Sequence, residues 1–400
     1  EKGKVMSKIK EVRIGVVGVG GMGGSHARAI LQGNVPNARL AAICDINPAV
    51  LDRFDNSMLK FADSREMIRS GEVDAVVVAT PHYAHTTIGI DTFNNGLHLL
   101  LEKPISVHKA DCERLFAAYD KIEGKKPLFS VMFNLRTTPI YQKLRALVQD
   151  GHLGKITRVN WIITAWFRTQ HYYDNGDWRA TWSGEGGGVL LNQCPHNLDL
   201  LQWITGMPVR VRAFCSFGKY HDIEVEDDVT AYFEYDNGAT GVFIATTGEA
   251  PGTDRLEITG ECGKAVLEHG KLTFIRNESS MLEYSKTSKS GFARPEVWNV
   301  EIPVSHSGGQ HTEILSNFAN AIVNGTPLIA DGRDGIRSVE LANAMILSTL
   351  QGKTIELPLN SATYERALKK LIRESKYTKK GVTAAAPVDL SSTFNVPKAK

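Results

Sequence analysis

Val12-Arg13-Ile14-Gly15-Val16-Val17-Gly18-Val19-Gly20-Gly21-Met22-Gly23 is the stretch on which the fold of this 400-residue chain turns. A β-branched run of strand length flows into a G-x-G-x-x-G turn. A helical pattern from about Gly24 to Leu31 follows, with Ala27, Ile30 and Leu31 on its apolar face. Strand, glycine turn and helix in that order make a cradle for a pyrophosphate. Gly18 forms the tight turn, Gly20 lets the backbone come close, and Gly23 lets helix pack on strand. Gly21 and Met22 lie at the positive, N–H-rich end of the helix.

The next strand sharpens this reading. Leu40-Ala41-Ala42-Ile43-Cys44 ends in Asp45, 22 residues beyond Gly23. A carboxylate there accepts hydrogen bonds from both ribose hydroxyls and repels a 2′-phosphate. No arginine stands at 46 or 47, so the expected cofactor is NAD rather than NADP. The competing reading of Asp45 is a helix cap ahead of Asn47-Pro48.

The alternation continues with a strand at Ala75–Ala79 that ends in Thr80-Pro81-His82-Tyr83-Ala84-His85. A helix to about Asn94, a stop at Gly96 and a strand at Leu97–Leu101 follow. A helix at Val107–Ile122 and a strand at Phe129–Phe133 close the series. The pattern predicts an α/β domain with a Rossmann-type, doubly wound parallel sheet. Glu102-Lys103-Pro104 breaks the Leu97–Leu101 run, because proline cannot extend a sheet interior. Lys103 is thereby left at the carboxyl end of a buried strand, where open α/β sheets keep their ligands. Taken alone, Glu102 and Lys103 read as a strand-end ion pair facing water. His82 and His85 lack further ligands at a metal spacing, so hydrogen bonding at a strand-to-helix corner is expected and no metal.

Composition narrows the field of functions. Lys and Arg number 46 against 44 Asp and Glu, a net charge of +2, which gives no electrostatic case for nucleic acid or an anionic membrane. Apolar runs stay far below the length of a membrane span. The five cysteines are scattered without C-x-x-C, a pattern that suits reduced thiols in the cytoplasm. No charged and apolar leader opens the sequence, so no export signal is expected. The length calls for two domains.

The second domain begins near Thr138-Pro139, where proline opens a helix that Gly151 and Gly154 end. Long alternating strands follow at Ile156–Trp166, Val209–Phe217, Val229–Tyr235, Ala239–Thr246 and Leu256–Thr259, with Asp236-Asn237-Gly238 as a hairpin turn. They predict an α+β domain with a large, mostly antiparallel sheet. Helices near Gln310–Asn324 and Arg333–Leu350 come next. The expected boundaries are 1–136 for the dinucleotide domain and 137–358 for the second domain, whose late helices can return to the first. Residues 359–400 read as a basic, solvated helix and a disordered or partner-wrapped tail.

Within the second domain, Gly186-Gly187-Gly188 leads into Val189-Leu190-Leu191-Asn192-Gln193-Cys194-Pro195-His196-Asn197-Leu198-Asp199. Leu190, Leu191, Leu198, Leu200, Leu201 and Ile204 supply an apolar helical face, with Asn192 and His196 one turn apart on the neighbouring stripe. A histidine beside leucines on a helix is structural by default; the glycine run argues for a site. Trp166, Arg168, Tyr172, Trp178 and Arg179 mix rings with charges, as a carbohydrate wall or a packed interface loop would.

Gly18, Gly20 and Gly23, Asp45, Thr80-Pro81-x-x-x-His85, Gly96 and Glu102-Lys103-Pro104 together resemble the Gfo/Idh/MocA oxidoreductase family, from about residue 11 to 358. The resemblance implies that Gly18, Gly20, Gly21, Met22, Gly23, Asp45, Thr80, Pro81, His82, His85, Glu102 and Lys103 bind NAD. It implies further that Lys103 lies beside the nicotinamide and the substrate hydroxyl, and that the second sheet forms a substrate lid and subunit interface in a homo-oligomer. His82 departs from the asparagine common after Thr-Pro. His196 and Asp199 match the end of the family's Asp-x-x-x-His-x-x-Asp, but Asn192 stands at its start, and an amide cannot stabilise an imidazolium by charge. The expected function is NAD-dependent oxidation of a secondary hydroxyl on a sugar, glycoside or cyclitol. Lys103 and His196 would be catalytic, and Asn192, Asp199, Trp166, Arg168, Tyr172, Trp178 and Arg179 would hold the substrate. Two other readings keep the same fold: glycoside cleavage through transient oxidation, elimination and re-reduction, and a non-catalytic dinucleotide-sensing regulator. No nucleophile elbow, P-loop or zinc spacing supports a hydrolase or kinase.

Overall fold

The structure, a computed structural model, describes residues 10–304 and 306–379. The chain divides into two compact units. Of the described residues, one takes those up to Thr137 and Gly309–Ile336; the other takes Thr138–Gly308 and those from Arg337 to Lys379.

The first unit is built on β1 (Val12–Val17), β2 (Ala38–Cys44), β3 (Leu59–Phe61), β4 (Ala75–Val78), β5 (His98–Leu101) and β6 (Phe129–Val131). They lie in the order β3-β2-β1-β4-β5-β6, and every neighbouring pair is parallel. The order reverses between β1 and β4, which makes the carboxyl ends of these strands the binding edge of the sheet. The strands read as unbroken apolar runs because both faces are covered: Ile14, Val16, Val76, Val77, Leu99 and Leu100 are fully buried. On one face, Ala27 and Ile30 of helix Gly21–Leu31 share a core with Ile314, Leu315 and Phe318 of helix Gln310–Asn324. This late helix therefore packs in the first unit.

Several boundaries differ from the sequence reading for local reasons. The first helix starts at Gly21, inside the glycine turn itself. The helix read as Val107–Ile122 contracts to Lys109–Asp120, because the His108 side chain caps it by accepting from the Asp111 N–H. β5 begins at His98, and the short β3 and helix Ser64–Arg69 lack a periodic signal long enough to read.

The second unit carries β7 (Ile156–Ile163), β8 (Arg210–Phe217), β9 (Glu226–Glu234), β10 (Thr240–Thr246), β11 (Asp254–Gly260), β12 (Gly263–Glu268), β13 (Lys271–Asn277), β14 (Val297–Ile302) and β15 (Ile355–Glu356). Their order is β14-β13-β12-β11-β7-β10-β9-β8-β15, with β7 and β10 the one parallel pair. β7 ends at Ile163, not Trp166; Thr164 and Arg168 instead donate their N–H groups to Thr253 and Thr247 as the chain peels into a loop. The helix expected over 190–204 spans Pro195–Thr205, so Asn192 lies in the turns that precede it. The basic terminal helix, Ser361–Glu374, is amphipathic rather than fully solvated: Tyr364 and Leu368, one turn apart, are buried. The tail from 380 onward lies outside the described residues.

Candidate active site

At the binding edge of the first unit the glycines divide their labour. Gly18 has φ +82°, and a Cβ there would lie 2.8 Å from the Ala79 carbonyl oxygen; a Cβ on Gly23 would lie 1.8 Å from the Gly18 carbonyl oxygen. These two are demanded by the backbone. A Cβ on Gly20 would meet nothing within 4 Å, so that position keeps a surface open. Helix Gly21–Leu31 has no side-chain cap and no acid in its first turn, which leaves its leading N–H groups for an anion. Asp45 accepts from the Val19 N–H at 3.0 Å and the Asn47 N–H at 2.9 Å. The cap of helix Pro48–Leu51 is Asn47, so the alternative reading of Asp45 as that cap falls. The Thr80 hydroxyl oxygen is buried without a hydrogen-bond partner among the described residues, and its methyl stands beside Gly18. An orphaned hydroxyl, an open glycine, an uncapped helix start and a carboxylate on the ribose side fit a dinucleotide held across Gly18, Gly20, Gly21, Met22, Gly23, Asp45 and Thr80.

Lys103 follows β5 on the same edge. The Glu102 N–H donates to the Val78 carbonyl, and the Glu102 side chain turns inward instead of pairing at the surface. One carboxylate oxygen lies 2.7 Å from His26 Nε2; the other accepts the Lys103 backbone N–H at 3.1 Å. Burial pushes this carboxyl up, but the bond to His26 and the fields of His26, His311 and Lys103 outweigh it and hold it at about 2. The His311 ring lies 5.7 Å from that of His26, and burial pushes its pKa down to about 4. A buried carboxylate thus clamps the backbone that carries Lys103, which replaces the strand-end ion pair facing water. His85, also fully buried, has Nδ1 2.8 Å from the Pro104 carbonyl oxygen and Nε2 2.8 Å from that of Thr80. His85 and Glu102 therefore brace the loops around Thr80-Pro81 and Lys103 and do not present free ring or carboxylate edges to a ligand. The ring of His82, buried, is 6.1 Å from that of His85. No group of three or more His, Cys, Asp or Glu poised for a metal occurs among the described residues.

In the second unit, His196 is buried in the first turn of helix Pro195–Thr205. The glycine run before it is held by Glu226, whose carboxylate accepts the N–H groups of Gly188 at 2.8 Å and Leu190 at 3.1 Å. Burial pushes the Glu226 carboxyl up to about 7, against those backbone bonds and with help from Glu185. Asn192 is fixed on both sides of its amide. Its nitrogen donates to the buried carboxylate of Glu185, and its oxygen accepts from the Tyr172 hydroxyl at 3.2 Å and Gln193 Nε2 at 3.3 Å. Arg179 Nη1 donates to the Tyr172 oxygen at 2.6 Å and lies 3.9 Å from Glu185, closing a ring of four polar groups. The carboxylate missing at 192 thus stands at 185, behind the amide. Asp199 accepts from Gln202 on its own helix. The guanidinium carbon of Arg168 lies 5.4 Å from the Trp166 ring and 5.2 Å from the Tyr172 ring, and that of Arg179 lies 4.4 Å from Tyr172 and 4.6 Å from Trp178. The rings and arginines expected to form a carbohydrate wall or an interface loop are therefore one cluster.

Sequence reading missed Glu185, Gln193, Glu226 and a C-terminal strap. Past the terminal helix, Ser375 donates to Glu224, Tyr377 Oη to the Asp222 carbonyl at 2.6 Å, and Lys379 Nζ to the carbonyls of Gly176 and Arg179. The only trace of these roles in the sequence is Glu185 between Gly184 and Gly186.

Two family models match. One describes an oxidoreductase family with an NAD-binding Rossmann fold and covers 12–127; the other describes the GFO/IDH/MocA C-terminal domain and covers 141–266. The chain belongs to the Gfo/Idh/MocA oxidoreductase family. It is an NAD-binding oxidoreductase. Inositol 2-dehydrogenase of Rhizobium meliloti (strain 1021) is 25% identical over 359 residues, 86% of this chain and 99% of that protein. Levoglucosan dehydrogenase of Pseudarthrobacter phenanthrenivorans is 24% identical over 88% of this chain and the whole of that one. Among solved structures, the WlbA dehydrogenase of Bordetella pertussis in complex with NADH and UDP-GlcNAcA superposes with a TM-score of 0.73, at 27% identity, over 88% of this chain and 100% of that chain. Membership in the Gfo/Idh/MocA family gives the open edge at Gly20 its occupant.

Proposed function

We propose that this protein oxidises a secondary hydroxyl of a polyhydroxylated, carbohydrate-like substrate, with Lys103 and His196 as the catalytic pair. The observation that carries the reading is the clamp on Lys103: a buried Glu102–His26 pair at the binding edge fixes the backbone of the lysine that follows β5. Bound NAD supplies the hydride acceptor. Lys103 donates a hydrogen bond to the substrate oxygen and stabilises the negative charge that builds there as its proton leaves. His196 takes that proton, as a neutral imidazole can near physiological pH. The Glu185–Asn192–Tyr172–Arg179 ring holds the wall beside the glycine turn that leads to His196, and Trp166 and Trp178 offer faces to the apolar side of a sugar ring. The relatives named for inositol and levoglucosan support this substrate class. The test is NADH fluorescence across a panel of sugars, glycosides and inositols, with NAD and NADP in parallel. Wild-type protein should turn over at least one compound with NAD, and Lys103→Met should abolish NADH formation while still binding NAD. Retained turnover in that variant would remove Lys103 from the chemistry.

A further inference from the structure

Two arginines flank Tyr172, but among the described residues only one has its charge answered. Arg179 lies 3.9 Å from the buried carboxylate of Glu185. Arg168 makes no ion pair among the described residues: its Nη1 donates to the Phe167 carbonyl at 2.9 Å, and its Nε is buried without a partner. Two residues earlier on the same extended segment, the indole Nε1 of Trp166 is also buried and unpartnered. Its ring stands against the Arg168 guanidinium. The Arg168 backbone is held on both sides, its N–H donating to Thr247 O and its carbonyl accepting from His221 Nε2, each at 2.9 Å. Among the described residues, the site thus presents a guanidinium on a fixed backbone with no ion-pair partner, and a second buried N–H donor with no acceptor. Buried donors left unsatisfied are costly, and a guanidinium answers an oxyanion better than any neutral group. Lys379, donating to the Arg179 carbonyl, adds another cation to this side of the wall.

We propose that Arg168, with Trp166 Nε1, forms a subsite for an anionic oxygen group on the substrate, a carboxylate or a phosphoryl, so that the preferred substrate is an acidic sugar and not a neutral one. The inference rests on the carbohydrate reading above and narrows its substrate class.

The experiment compares hexuronates and hexose phosphates with their parent hexoses, by calorimetric binding to the protein loaded with NADH and by NADH formation from NAD. Wild-type protein should favour at least one anion over its parent hexose by about 10- to 100-fold, the factor expected for a charge-assisted hydrogen bond. Arg168→Gln should collapse that ratio toward unity chiefly through KM, and Arg168→Lys should restore part of it; thermal melts identify a variant that fails to fold. Preference for hexuronates assigns a carboxylate, and preference for hexose phosphates a phosphoryl group. Equal use of anion and hexose, absence of anion binding, or an unchanged ratio in Arg168→Gln overturns the subsite. Anion binding that depends on Arg168 but without hydride transfer from any sugar leaves the subsite standing and overturns the oxidoreductase substrate reading instead.

Discussion

At the scale of single residues, the proposed chemistry of the first unit depends on a buried carboxylate. Glu102 accepts the N–H of the very lysine it precedes and is kept ionised by His26. Glu102→Gln keeps an oxygen for that N–H but loses the charge that binds His26, so Lys103 loses its fixed bearing. Steady-state kinetics should show kcat lowered by about 10- to 100-fold, the scale of a small misplacement of a reacting group, with NAD affinity changed by less than about 3-fold. Lys103 was legible in the sequence because a proline and a charged pair ended an apolar strand. The inward turn of Glu102 was not, since its partners His26 and His311 come from distant positions. The same holds for Asn192, whose balancing carboxylate at Glu185 reaches it through loop geometry that periodicity does not encode.

At the scale of elements, the glycine turn and the Gly186–Gly188 run each tie a helix start to a sheet. Gly20 and Gly23 should separate binding from folding. Gly23→Ala places a Cβ 1.8 Å from a backbone oxygen and should lower the melting temperature or abolish soluble expression. Gly20→Ala meets open space, so it should melt near wild type yet bind NAD more weakly by titration. Glu226 gives the second helix start a pH dependence. Its carboxyl is raised from 4.5 to about 7, so the folded state binds the proton more tightly than the unfolded chain. Its contribution to stability is complete below about pH 4.5 and is lost as pH rises through 7. Glu226→Gln should flatten that part of the stability profile in urea melts; an unaltered slope would assign it to other groups. The parallel sheet was readable because strands buried on both faces carry unbroken Val, Ile and Leu. β7 and the helix at 195 were overextended because apolar residues continue into loops that are buried for other reasons.

At the scale of the whole molecule, the chain returns twice on itself. Helix Gln310–Asn324 completes the core of the first unit, and the strap after Glu374 fastens the loop that carries Trp178 and Arg179. The strap read as the end of a solvated basic helix because its lysines look like surface charge until their carbonyl partners are known. Replacing Tyr377 by Phe together with Lys379 by Met removes bonds to the carbonyls of Asp222, Gly176 and Arg179. KM for the sugar substrate should rise roughly 3- to 10-fold with KM for NAD unchanged, the effect of a few modest hydrogen bonds. Hydride transfer from a sugar carbon to NAD, assisted by Lys103, is the central step, and an isotope measures it directly. With a substrate deuterated at the oxidised carbon, mass spectrometry of the cofactor after a single turnover should find one deuterium in NADH for wild type and none for Lys103→Met. Cofactor that stays unlabelled while the wild-type protein consumes its substrate would contradict the account.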